Sequence, residues 1–111
     1  MGFTDITTVD GFNDAIKNSK MAVIHFCSPT HSTCEKVDPE LDELSTNQKV
    51  MDAGIVFFQV DLPLASDVVT TSQVQNPPAV QVYQDGKKVD EAQGGNLAPV
   101  KKWVEALAGL F

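Results

Sequence analysis

The residues equipped for chemistry crowd into one short stretch. HFCSPTHSTCEKVDP, residues 25–39, holds both histidines and both cysteines of the chain. Ser32-x-x-Glu35 has the form of a capping box, so a helix is expected to start at about Ser32. Cys34 then falls in its first turn, where unpaired backbone N–H groups and the positive helix end favour a thiolate. Cys34 also lies three residues before Val37 and so begins the stripe that is buried. Burial raises a thiol pKa, and Glu35 beside it pushes the same way. His31, one helical turn earlier, is spaced to share a proton with the thiol, which is how a nucleophilic cysteine is usually activated. His25 interrupts an apolar strand, where an ionisable group must find a partner or stay neutral. Plainer readings stand beside these: His25 as a satisfied core histidine, His31 as a solvated loop residue. His25, Cys27, His31 and Cys34 also offer four ligand-type side chains. Their His-x-Cys-x3-His-x2-Cys spacing matches no standard zinc site, and no metal is expected.

The elements that must position this stretch alternate between strand and helix. Residues 3–7 read as a weak first strand. Val9, Phe12 and Ile16 recur at helical spacing, giving a short helix near residues 10–18. MAVIHFC (Met21–Cys27) and IVFFQVD (Ile55–Asp61) are nearly continuous apolar runs of strand length, as suits strands covered on both faces of a parallel sheet. Val37, Leu41 and Leu44 form a helical stripe between them. Ala65, Val68 and Val69 suggest another short helix. Residues 79–83 form a strand, and Asp85-Gly86 is a strong hairpin turn into a partner strand at 88–93. A last helix is expected to begin with Asn96 as N-cap and Pro99 in its first turn. Leu97, Val100, Val104, Leu107 and Phe111 would line its inner face. This order, βαβαβαββα, requires an α/β fold with a central mixed sheet and helices on both faces.

The 111 residues suit one domain, 1–111, and a hydrophobic fraction of 42% suffices for a packed core. No apolar run approaches a membrane span, and MGFTDITTVD lacks the layout of a signal peptide, so a cytoplasmic protein is expected. Eight basic residues against fifteen acidic ones leave a net charge of −7. Such a balance repels phosphate, which argues against nucleic acid and acidic membranes as partners. Two cysteines are too few for a secreted disulfide scaffold.

The run VIHFCSPTHSTCEKVDP resembles the strand–motif–helix segment of the thioredoxin family, in which an apolar strand leads to Trp-Cys-Gly-Pro-Cys and a proline-kinked helix. The corresponding pentapeptide here is Thr30-His31-Ser32-Thr33-Cys34, with Pro39 at the kink. Pro78 matches the family's cis-proline, Asp85-Gly86 its hairpin turn, and Gly94 the glycine bordering the substrate groove. The resemblance covers nearly the whole chain and implies the thioredoxin fold, with Thr30, Ser32, Thr33, Pro77, Pro78 and Gly94 forming the substrate face. The departures bear on activity. In the family the first cysteine attacks and the second resolves; here His31 holds the first place and only Cys34 remains. Imidazole cannot form the mixed disulfide. Pro77, before the cis-proline, has no N–H to offer a substrate strand. Thr30 replaces the tryptophan. His25 stands where the family has a buried acid that exchanges protons with the second cysteine.

Several functions fit this pattern. The first is monothiol thiol–disulfide exchange centred on Cys34, with His31 and His25 assisting and little general disulfide reductase activity. It needs no cofactor; protein thiols or disulfides are the partners, and glutathione is a candidate co-substrate. The second is a non-catalytic protein-binding or redox-regulatory module on the same fold. A third is a redox sensor closing a Cys27–Cys34 disulfide, which requires Cα atoms within roughly 7 Å; its alternative is Cys27 as a small buried hydrophobe.

Overall fold

The computed structural model describes residues 3–27, 39–61, 67–68, 79–93 and 97–110. Five strands form one mixed sheet: β1 (Phe3–Ile6), β2 (Met21–Cys27), β3 (Ile55–Asp61), β4 (Ala79–Gln84) and β5 (Lys87–Gln93). Their order is β1-β3-β2-β4-β5. β3 runs parallel to both β1 and β2, whereas β4 is antiparallel to β2 and β5 to β4. The described helices are α1 (Val9–Asn18), α2 (Pro39–Ser45), α3 (Gln48–Asp52) and α4 (Ala98–Ala108). Asp67 and Val68 are also helical, and Val68 is fully buried, in keeping with the short helix expected there. None of the described helices is long and apolar enough to cross a membrane.

The sheet is covered on both sides, which explains the continuous apolar strands. Side chains alternate across a strand. In β2, Ala22, Ile24 and Phe26 join the core under α1 with Ile6, Phe12, Ala15, Phe58 and Val60. Met21 and Val23 point the other way, into a core with Val50, Phe57, Val80, Val82, Val100 and Val104. Residues 21–26 of β2 are all buried. Burying each large apolar side chain is worth about 1.5–3 kcal/mol. A one-residue slip of β2 would exchange its two faces wholesale, so the register is strongly specified.

Local chemistry fixes the ends of these elements. The Thr8 hydroxyl caps α1 by accepting from the Gly11 N–H at 3.0 Å, and Asp10 and Lys17 sit at the helix ends that favour their charges. The β4–β5 turn has Asp85 at φ 54° and Gly86 at φ 83°. Two successive positive φ values match the right-handed twist of a hairpin, as the Asp-Gly pair leads one to expect.

Two expectations need correction. α4 begins at Ala98 with Leu97 as its N-cap and no side-chain cap hydrogen bond, so the cap is not Asn96, which lies outside the described residues. Pro99 reduces the need for a capping side chain, because it removes one of the N–H groups that a cap would satisfy. The helix also stops at Ala108: Gly109 turns it off at φ 71°, with the Leu110 N–H reaching the Glu105 carbonyl at 2.9 Å. The inner stripe therefore ends at Leu107. Phe111 falls beyond the helix and outside the described residues.

α3 is a helix the sequence reading does not include. The Ser45 and Thr46 hydroxyls donate back to the Asp42 and Glu43 carbonyls, at 2.6 and 3.1 Å, where α2 ends. Asn47 then starts a new helix, its side-chain oxygen accepting from the N–H groups of Lys49 and Val50. This restart points Val50 into the core.

Candidate functional site

Of the expected site residues, His25 is the one whose side chain is described. It lies near the C-terminal end of β2, the strand that leads into residues 28–38. In open α/β sheets the crevice beyond the carboxyl ends of the strands is where ligands bind. The imidazole is 8% exposed, and its Nδ1 is buried without a hydrogen-bond partner among the described residues. Burial lowers its pKa below the ordinary histidine value, because the charged form would lose its hydration. At neutral pH it is therefore an uncharged base.

The ring packs edge-on against Phe3, with centroids 6.4 Å apart and planes at 69°. Phe3 in turn meets Phe57 at 5.5 Å. Strand pairing aligns His25 with Gln59 on β3 and Val80 on β4. Gln59 is aligned with Asp5 on β1, and its Nε2 donates to Asp5 Oδ1 at 2.7 Å. Asp5, Gln59 and His25 thus form a polar row across three parallel strands, on the face covered by α3 and α4. Sequence reasoning singled out His25 but neither Gln59 nor Asp5. Their alternation in the strands was the available signal, and it carries no information on which strands are neighbours.

A second polar group inside the sheet was also missed. Gln81 is fully buried on the α1 face. Its Oε1 accepts from the Tyr83 hydroxyl at 2.8 Å, and its Nε2 donates to Glu91 Oε1 at 3.0 Å. Lys88 Nζ lies 3.1 Å from the same Glu91 oxygen. Burial, with the Glu91 charge nearby, pushes the Tyr83 phenol up to about 12. An open groove of about 460 Å³ between α2, α3 and α4 is lined by Glu43, Leu44, Asn47, Lys101 and Glu105. His25 is not among these described lining residues.

Thr30, His31, Ser32, Thr33, Cys34, Pro77, Pro78 and Gly94 lie outside the described residues, as does the expected helix start at Ser32. Of Cys27 the backbone is described: it closes β2 opposite Asp61. Among the described residues no group of three or more His, Cys, Asp or Glu side chains is arranged to hold a metal ion.

A family model described as Thioredoxin matches residues 3–106. The chain belongs to the thioredoxin family. It is 31% identical over 100 residues to the thioredoxin of Coprinus comatus, covering 90% of this chain and 92% of that one. It is 29% identical to the thioredoxin of Ictalurus punctatus over 99 residues, covering 87% and 91%. Among solved structures, thioredoxin of Malassezia sympodialis superposes with a TM-score of 0.79 at 18% identity, covering 96% of this chain and 90% of that one. The oxidised thioredoxin of Plasmodium falciparum gives 0.78 at 24% identity, covering 96% and 98%. The architecture is thus the thioredoxin fold, a mixed five-stranded sheet flanked by helices on both faces. Within a thioredoxin-family sheet, the Asp5–Gln59–His25 row runs from the edge strand to the strand that delivers the Cys34 segment.

Proposed function

We propose that this thioredoxin-family chain is a monothiol exchange protein acting on protein disulfides or thiols through Cys34. The observation that carries the reading is His25: an uncharged, buried imidazole on the strand leading to Cys34, with no hydrogen-bond partner at Nδ1 among the described residues. The sequence supports it from the other side, since His31 stands where the family motif has its attacking cysteine.

The Cys34 thiol first gives its proton to imidazole, His25 acting as buried acceptor and His31 as the neighbouring group that tunes the thiol. The thiolate attacks one sulfur of a partner disulfide. A bond forms between Cys34 Sγ and that sulfur as the partner's S–S bond breaks, and the departing thiolate takes up a proton. A second thiol, for which glutathione is the candidate, then attacks the mixed disulfide and returns Cys34 to its reduced form. Thr30, Ser32, Thr33, Pro77, Pro78 and Gly94 would shape the surface on which the partner docks. A cytoplasmic setting, rich in glutathione, suits this chemistry.

Insulin disulfide reduction by wild type, Cys34→Ser and His31→Cys tests the proposal. Wild type should turn over slowly, His31→Cys should gain at least about tenfold, and Cys34→Ser should lose both activity and mixed-disulfide formation with glutathione. Robust wild-type turnover that depends on both Cys27 and Cys34 would refute it. Partners captured equally well by Cys34→Ser, with no thiol reactivity in the wild type, would make the protein a binding module instead.

A further inference from the structure

A buried histidine that takes a proton needs an acceptor on each ring nitrogen, because imidazolium carries an N–H at both Nδ1 and Nε2. His25 Nδ1 has none among the described residues. A charged N–H left without a partner there would make the proton-loaded state very costly. The strand register places one candidate acceptor beside His25. β1 and β2 are separated by β3, so their backbones lie two strand spacings apart, roughly 9.6 Å. The Phe3 and His25 rings are nevertheless 6.4 Å apart. Both rings therefore lean inward over β3, and the strand register puts Gln59 on that strand directly beside His25. The Gln59 amide nitrogen is already committed to Asp5 Oδ1 at 2.7 Å. That bond fixes which end of the amide is the donor end, and it leaves Oε1 as the group with acceptor capacity to spare.

We propose that Gln59, held by Asp5, is a positioning residue that accepts the Nδ1–H of His25 when the imidazole takes up its second proton. The inference deepens the reading of His25 as the proton acceptor for Cys34 and rests on it for its functional meaning. In the loaded state the chain of bonds runs His25 Nδ1–H to Gln59 Oε1, and Gln59 Nε2–H to Asp5 Oδ1. The proton stays on the imidazole, and Asp5 supplies a negative charge at the far end of the row. Nothing else with a charge shares that row: Val80 on β4 and, beyond it, Ala92 on β5 continue it as apolar residues. The helices of the same face carry Asp42 and Glu43 in α2, Lys49 and Asp52 in α3, and Lys101, Lys102 and Glu105 in α4. Of these, Glu43, Lys101 and Glu105 line the outer groove. Asp42 Oδ1 is buried without a hydrogen-bond partner among the described residues.

The test is an NMR titration of the His25 ring in the intact chain, with His31 as internal reference. Gln59→Leu should lower the His25 titration midpoint by about one pH unit, a tenfold loss of proton affinity. Asp5→Asn should lower it by a smaller amount, roughly threefold in affinity, and Gln59→Glu should raise it by at least about one unit. Asp5→Asn changes an exposed edge position and does not put folding at risk, and Gln59→Glu keeps size and shape. Midpoints within about 0.2 units of wild type in both of these folded variants would overturn the inference. The pH profile of Cys34 alkylation separates the two claims. A moved His25 midpoint with an unmoved alkylation profile supports the Gln59 role while refuting His25 as the thiol's proton acceptor.

Discussion

Acid should destabilise this fold through His25. The imidazole is buried and uncharged, with its pKa depressed by loss of hydration. In the unfolded chain it returns to the ordinary value of about 6.5. Below that pH the unfolded state binds the proton and the folded state resists it, so stability falls as pH falls. The limiting case is a histidine that stays neutral in the fold throughout. Between pH 7.5 and 5.5 its contribution to the loss then reaches a ceiling of about 1.4 kcal/mol, because the unfolded residue goes from about one-tenth to about ten-elevenths protonated. With a urea m-value of about 1–3 kcal/mol/M, the midpoint moves down by roughly 0.5–1.4 M at that ceiling. Urea titrations of wild type and His25→Leu at both pH values measure it. The variant should lose this component of the pH dependence, and His31, common to both chains, cancels in the difference. An identical pH dependence in the two chains would refute the argument, since it would mean that His25 exchanges its proton as freely folded as unfolded.

Two further outcomes follow from the polar contacts. Tyr83 is the only tyrosine, so tyrosinate absorbance reports it alone, and its midpoint should lie near 12 in the folded chain. A phenol whose pKa is raised on folding stabilises fully below pH 10 and loses that contribution as pH climbs toward 12, on the order of 2–3 kcal/mol in all. Tyr83→Phe should lack this alkaline limb and cost about 1 kcal/mol at pH 7, because Gln81 Oε1 loses the hydroxyl that donates to it. Trp103, the only tryptophan, donates from Nε1 to Asp90 Oδ2 at 2.9 Å and ties α4 to β5. Asp90→Ala should shift its fluorescence maximum and cost about 1–2 kcal/mol in denaturant titration, since a hydrogen bond to a charged acceptor is lost; an unchanged spectrum would show that the indole does not depend on that carboxylate.

The sequence alone determined the elements whose cause is local. MAVIHFC and IVFFQVD are apolar along both alternating faces, a pattern that suits interior strands of a layered sheet, and of their described apolar side chains Val56 alone stays exposed. Asp85-Gly86 carries its turn in its own backbone preferences. The Thr30–Cys34 pentapeptide, with Pro39 and Pro78, carries the resemblance to the thioredoxin family within the sequence itself. Tertiary structure decided what depends on neighbours distant in the chain. The break between α2 and α3 depends on side-chain hydroxyls folding back onto carbonyls and on Val50 finding a core to enter. Leu97 rather than Asn96 starts α4, with Leu97 itself packed into the core. Above all, His25 is a buried, uncharged imidazole, and Asp5 and Gln59 stand in its row, because β3 inserts between β1 and β2. Strand order and register are set by long-range packing, and residues 54 positions apart, as Asp5 and Gln59 are, leave no local trace of their pairing.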